Sequence, residues 1–580
     1  MRQEPAMRQR SIPTRLSWAG LFAPLFLMAL ADSTHAANRT WDGGGANDLA
    51  TTAANWVGDV APTGSNVDAI FFAGSTRLTP DWNFTSANPM QSVTFNSGAG
   101  AFSVNVSGQF HVVGNITNNS SNDQAFTGNA VVLRFAGSPT ISAASGNISF
   151  ANLSYNSTPD TVTFAGAHTI TISSATILNF GANGKQLVKT GTGTLFFNGG
   201  SSGTVDTSTT GLNINEGTVV AGDNNALGFT TNVRLGNTSG SASASLLLGS
   251  GISSNRSILV RSGSSGTATL GSSSDSTTTF SGLVTAEKSV TVAQQLATTG
   301  SNGLTLTGGI TSGLAGSQTV TFDGPGRVAV NSVIGGGSGT LAVSKTGAGL
   351  LILGGNNTYA GTTDISAGTL RLNGHHTGGD LYTVGASGTL QGTGSTASAL
   401  SVAGVLSPGA SIETFGSGTL DLLDGSTFQY EVDSSVATSI GADLQIVNGD
   451  LNLANGVGDE VTLTLTDLNN SPTAFALGTT FSLINYDGDW NGGLFTFGGN
   501  AISNNETFAA GLNTWQLQYD ANSGGDNFSG QYLPASSFVN IVAVPEPTVL
   551  ALSAVGLILT AGLGVRRCRR VAGVGSKKMD

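Results

Sequence analysis

Few residues in this 580-residue chain have chemistry to offer, and their spacing limits what that chemistry could be. Beyond residue 36 there are four histidines: His111, His168, His375 and His376. The last two are adjacent, so on a strand they point to opposite sides and make a poor metal clamp. No His-Glu-x-x-His motif and no lysine-bearing phosphate loop occurs. Asp433, Asp443 and Asp450 are spread along one region, and Arg371 is among few basic residues. A β-helix polysaccharide lyase or hydrolase is the rival reading, and it needs such groups gathered in one groove. The turns at Asp487-Gly488-Asp489 and from Asp520 to Asp526 are rich in oxygen ligands. Neither follows the EF-hand loop or the Gly-Gly-x-Gly-x-Asp repeat. No catalytic, metal-binding or cofactor-binding residue is assigned, and the chain is expected not to be an enzyme.

The two ends read as addresses. Arg2, Arg8, Arg10 and Arg15 precede the apolar stretch from Leu16 to Ala31, and Thr34-His35-Ala36 follows. This is the layout of a signal peptide, with signal peptidase cutting between Ala36 and Ala37. At the far end, Val544-Pro545-Glu546-Pro547 leads into an uncharged run from Thr548 to Val565. As a helix that run would span about 27 Å, enough for a hydrocarbon core. Arg566, Arg567, Arg569 and Arg570 follow and should stay in the cytoplasm. The single cysteine, Cys568, lies among them, so the exported body has no disulfide, which suits a bacterial cell.

Pro545, Glu546 and Pro547, the apolar run and the arginine cluster together resemble the PEP-CTERM sorting signal of Gram-negative bacteria. That resemblance implies recognition by an exosortase, a membrane enzyme of cysteine-transpeptidase type. It implies an inner-membrane precursor, held by its C-terminal helix, whose body then reaches the cell surface, outer membrane or extracellular matrix.

Between these ends the chain is acidic. Ten of the 22 basic residues flank the apolar runs, leaving 12 against 31 of the 34 acidic residues, a charge near −19. Such a surface repels phosphates, so no nucleic-acid partner is expected. Charged residues are only 10 % of the chain, glycines number 83, and hydrophobic residues reach 39 %. Many short strands joined by polar turns fit that balance.

Internal similarity supports this. Lys189-Thr190-Gly191-Thr192-Gly193-Thr194-Leu195 matches Lys345-Thr346-Gly347-Ala348-Gly349-Leu350-Leu351. Each is followed by a second strand signal, at Gly217-Thr218-Val219 and Gly368-Thr369-Leu370. Gly-Thr-Leu triplets start at Gly339, Gly368, Gly388 and Gly418. Alternation in Thr369-Leu370-Arg371-Leu372 puts both leucines on one face. One such coil cannot bury its apolar face, but stacked coils can, at about 4.8 Å spacing. The uneven triplet gaps disfavour a flat, regular threonine array.

The two copies resemble the autotransporter-associated β-strand repeat, best over Lys345 to Leu372 with Asn356-Asn357-Thr358-Tyr359-Ala360-Gly361. The fold expected is all-β: an elongated right-handed parallel β-helix, or solenoid, with capping regions. The signal peptide occupies 1–36 and an aromatic cap 37–95, where Trp41 and Trp56 are read as packing rather than as a sugar platform. The solenoid follows at 96–420, with repeats near 185–222 and 341–374. A C-terminal β region or cap is expected over 421–534 and a linker over 535–544. The sorting signal spans 545–570, with the membrane helix at 548–565, and a cytoplasmic tail takes 571–580. The role expected is structural or adhesive, with exopolysaccharide as a multivalent partner.

Overall fold

In the computed structural model the described residues are 37–546, except 64–67, 88, 135–137, 157–160, 174–185, 200–210, 228–231 and 436–440. They form an all-β, right-handed-type parallel solenoid with almost no helix. Each full coil lays three short strands on three faces. The first face is a 13-stranded parallel sheet from Asn38–Trp41 to Ile334–Gly337. It resumes with His375–His376 and runs to Thr480–Tyr486. The second face runs from Ser103–Val106 to Leu451–Leu453. The third runs from Ser253–Ser254 to Phe495–Phe497. Nearer the N-terminus Phe110–Val112, Val131–Arg134 and Leu153–Asn156 form a separate three-stranded parallel sheet, and in chain order each lies between a second-face and a first-face strand, the place that third-face strands take in later coils.

The stack is held by inward columns in which one residue of each coil pairs with its counterpart in the next. On the second face Ile148, Ile170, Leu195, Val219, Leu246, Leu270, Val292 and Phe322 pair in that order. All are essentially buried. Burying each such side chain contributes about 1.5–3 kcal/mol, and each is covered by the coil above and the coil below.

The strand Thr363–Leu372 shows how a corner is turned. Its first half pairs with Thr340–Lys345 on the second face and its second half with Leu350–Leu353 on the third. The bend falls at Gly368, whose φ is +69°. A Cβ there would lie 2.5 Å from the Gly347 carbonyl oxygen and 2.7 Å from Lys345 Nζ. Glycine is therefore required on both conformational and steric grounds. The Gly-Thr-Leu triplets mark two different corners: Gly368 and Gly388 precede third-face segments, whereas Gly339 and Gly418 precede second-face strands. The gap of 20 is one coil, and the gaps near 30 also cross to another face.

Three expected boundaries differ. The aromatic section 37–95 already belongs to the stack, since Asn38–Trp41, Ala69–Phe72 and Ser92–Phe95 are the first three strands of the first face. Its tryptophans are interior: Trp41 and Trp56 meet edge-on at 5.3 Å, and Trp82 stacks on Phe110 at 4.0 Å. All three are at most 1 % exposed, which leaves no platform for a sugar. The parallel stack also continues past 420, for Thr427–Val432 pairs in parallel with Val461–Asp467. Finally, 535–544 is no linker. Ser537–Val544 is a strand, antiparallel to both Thr480–Tyr486 and Asn513–Ala521. Phe538, Val539, Ile541 and Ala543 are buried, and this apolar content draws the segment into the sheet. With Thr507–Ala510 these antiparallel strands extend the end of the first face.

Gly368→Ala is expected to lower stability by about 1–3 kcal/mol, from positive-φ strain and the corner clash. Urea unfolding followed by circular dichroism reads it, and an unchanged midpoint would contradict the corner geometry.

Candidate functional site

The features that set the repeated segments apart are their lysines. Lys189 stands in an inward column between Phe164 and Ile214, and Lys345 between Phe322 and Ile365. Both are buried, at 1 % and 3 % exposure. Their stems continue the apolar column while the ammonium turns to the corner. Lys189 Nζ donates to the carbonyls of Thr190 at 2.9 Å, Gly191 at 2.5 Å and Glu216 at 3.3 Å. Lys345 Nζ donates to Gly347 and, at 3.2 Å, to Ala367. Each thus ties its own corner to the corner of the next coil. Burial pushes both amines down to about 8, against an opposing pull from Glu216 on Lys189 and Asp323 on Lys345. The two corners are not on one edge of the rod. Lys189 ends a first-face strand, whereas Lys345 ends a second-face strand.

Other coils fill the same need with different donors. Lys288 Nζ donates to the carbonyls of Ser264 and Gly266, and Gln294 Nε2 to those of Ser274 and Leu296. Near the N-terminus Gln124 Nε2 donates to Gly100 and Asn122. The amines and amides stand where carbonyls converge inward at a bend, and they do structural work.

The groups singled out for chemistry are also occupied locally. His375 is exposed and His376 buried, on opposite sides as adjacent strand residues must be. His376 Nε2 lies 2.8 Å from the Tyr359 carbonyl, so it carries the proton, and Nδ1 accepts from Tyr382 Oη at 2.8 Å. Burial lowers its pKa, keeping it neutral. Asp443 is fully buried, and burial raises it to about 8 although its oxygens accept from the backbone N–H groups of Glu413 and Glu431, both at 3.0 Å. No face of it is open to a substrate. Asp433 Oδ1 accepts from Ser435, Asp450 Oδ1 accepts from Asp489 N, and Arg371 donates to the Gln391 side-chain oxygen. Each of these groups is thus held by a local partner. Among the described residues, no group of three His, Cys, Asp or Glu could hold a metal ion.

Of the address residues, Ala37 is already in the stack, its carbonyl accepting from Ala69 N at 3.0 Å. Pro545 and Glu546 are exposed directly after the last strand. Ala36, Pro547, the run 548–565, Arg566, Arg567, Arg569 and Arg570 lie outside the described residues. No helix among the described residues is long and apolar enough to cross a membrane.

Among the described residues the outer surface carries hydroxyl columns, and the second face has a run of seven. On the second face Thr194, Thr218, Ser245, Thr269, Thr291, Thr321 and Ser344 pair in that order, one per coil. All are half-buried. Their hydroxyls make no side-chain hydrogen bond among the described residues. A regular hydroxyl column thus exists despite uneven sequence gaps, because extra residues go into loops while the strands keep register. Beside it, where the loop 237–243 rises from the face, lies an open groove of about 630 Å³ that includes Thr218 and Ser245.

The fold and its lysine corners define a class: a parallel β-solenoid bearing transport-associated repeats. The model of the passenger-associated-transport-repeat family matches residues 187–221 and 343–372, so each match begins two residues before a buried lysine. The adhesin BmaC autotransporter of Brucella suis biovar 1 (strain 1330) is 42 % identical over 76 residues. That similarity covers 13 % of this chain and only 2 % of the relative.

Lys345→Met should cost about 1–3 kcal/mol at pH 7, because it leaves the Gly347 and Ala367 carbonyls without this donor. The pH dependence has a definite sign. The folded amine loses its proton near 8 and the unfolded one at about 10.4, so between these the unfolded chain binds more protons. This site's contribution to stability therefore grows from about pH 8 to 10, and the advantage of wild type over the Met variant should widen across that window. Urea midpoints at stepped pH check it; a constant gap would contradict the assignment.

Proposed function

We propose that this chain is an exported, non-enzymatic surface protein whose solenoid acts structurally or adhesively. The observation that carries the reading is the pair of passenger-associated-transport-repeat matches, each of which opens at a lysine corner. The local similarity to an adhesin autotransporter supports the same reading. A rod with an apolar interior and a hydrophilic exterior is suited to many weak contacts along its length, which is how an extended surface protein gains avidity. Export would begin with signal peptidase cleaving before Ala37. The C-terminal segment would hold an inner-membrane precursor until an exosortase-type enzyme acts at Pro545-Glu546-Pro547. The mature body would then stand at the cell surface, outer membrane or extracellular matrix, with exopolysaccharide as its partner.

Replacing Pro545, Glu546 and Pro547 by alanine is expected to leave a longer precursor in the inner-membrane fraction and to reduce cell attachment several-fold. Immunoblots of fractionated cells and a surface-attachment assay read the two effects. Unchanged size and location would remove the sorting step, and unchanged attachment on deleting the whole chain would remove the adhesive role.

A further inference from the structure

We infer that the second face is a binding track for an extended, neutral polysaccharide, entered through the groove beside Thr218 and Ser245. This deepens the adhesive reading above and rests on it, by naming the surface and the chemistry of the partner.

Two independent observations meet at this place. The first is the groove of about 630 Å³, lined by Thr192, Glu216, Thr218, Asn237, Ser243 and Ser245 among others. That volume is in the range of small-molecule sites. Its lining is almost wholly hydroxyl, amide and backbone, with one carboxylate, no cation and no aromatic ring. Such a set accepts and donates hydrogen bonds in quantity but offers an anion no counter-charge. Glu216 Oε2 accepts from Gly191 N at 3.0 Å, so the carboxylate is fixed in place. It would accept from ligand hydroxyls and repel ligand carboxylates or sulfates. A neutral, hydroxyl-rich molecule is what this lining fits.

The second observation is the column that leads away from the groove. Thr218 and Ser245 are members of both, and Thr269, Thr291, Thr321 and Ser344 continue it in register. Coils rise by about 4.8 Å, which is close to the length of one pyranose in an extended chain. A polysaccharide lying parallel to the solenoid axis would meet one hydroxyl per sugar. The next outward column, Val220, Leu247, Gly271 and Ala293, is uncharged but largely covered, with Leu247 6 % and Ala293 9 % exposed, and it ends at Asp323. Beyond Ser344 the first column turns acidic at Asp364, which marks one end of the neutral track. Each contact is weak, and the affinity comes from repetition.

The test uses the purified full chain, sedimented with amorphous cellulose as an extended neutral glycan and with alginate gel as a polyanion. Wild type should be retained on cellulose and not on alginate. The outward double variant Ser245→Glu, Thr269→Glu should lose at least tenfold in retention while keeping its urea midpoint. A second variant, Ser401→Glu, lies further along the face beyond Asp364 and should bind as wild type. Equal retention of wild type and the double variant overturns the inference, as does retention on alginate alone or on neither matrix. Self-association through this face, seen as a concentration-dependent mass that the double variant abolishes, also overturns it. So does freezing-point hysteresis without cellulose binding, which would assign the column to an ice surface. Cells carrying the double variant that still attach would sink the track and leave the adhesive reading standing.

Discussion

The structure depends on closing the corners of a three-sided coil. A parallel stack satisfies its strand amides and carbonyls between neighbouring coils, but at each bend some carbonyls turn inward, away from both the ladder and water. An orphaned buried carbonyl costs about 1–3 kcal/mol, and the bends recur in every coil. The chain answers with one inward donor at a time: Gln124, Lys189, Lys288, Gln294 and Lys345. An ammonium is suited to the task because three N–H groups can reach carbonyls of two adjacent coils. The cost is desolvation, visible in amines pushed down to about 8. Six lysines exist in the chain, at 185, 189, 288, 345, 577 and 578. Three of them spend their charge on this duty.

With the corners closed, the interior needs only shape. It is aromatic at the N-terminal end, where Trp41, Trp56 and Trp82 fill the first coils. It becomes aliphatic through the middle, where Leu, Ile and Val pair from coil to coil. At the C-terminal end the register changes from parallel to antiparallel, and Ser537–Val544 lies between two partners. Asn527 adds a buried link there, donating to Asp443 and Ser482 carbonyls at 2.6 and 2.9 Å and so joining the final loop to two earlier coils. The acidic residues stay largely outside, which leaves the second face free to present an uncharged hydroxyl column.

Much of this was legible in the sequence. Alternation around Leu370 and Leu372 gave the strands, and Gly368 marked a corner because no other residue fits there. What the sequence does not show is three-dimensional in origin. Lysine is ordinarily a surface residue, so the sequence marks Lys189 and Lys345 as landmarks of a repeat without showing that they are buried. The signal was present: the same Lys-Thr-Gly twice, each in an otherwise apolar run. The offset of the two copies by one face could not be read from similarity, since both copies look the same from within. The hydroxyl column was hidden because loop insertions disturb spacing without disturbing register. The linker expected over 535–544 instead holds the strand Ser537–Val544, whose valines and isoleucine favour a strand despite the prolines that follow.

The most direct measurement is nitrogen-15 NMR of the lysine side chains across a pH titration, with Lys189→Met and Lys345→Met spectra for assignment. Two ammonium signals that exchange slowly with water and titrate near pH 8 would place both amines against the corner carbonyls. Six side chains that exchange rapidly and titrate together near the ordinary lysine value of about 10.4 would mean that the corners are held by something else.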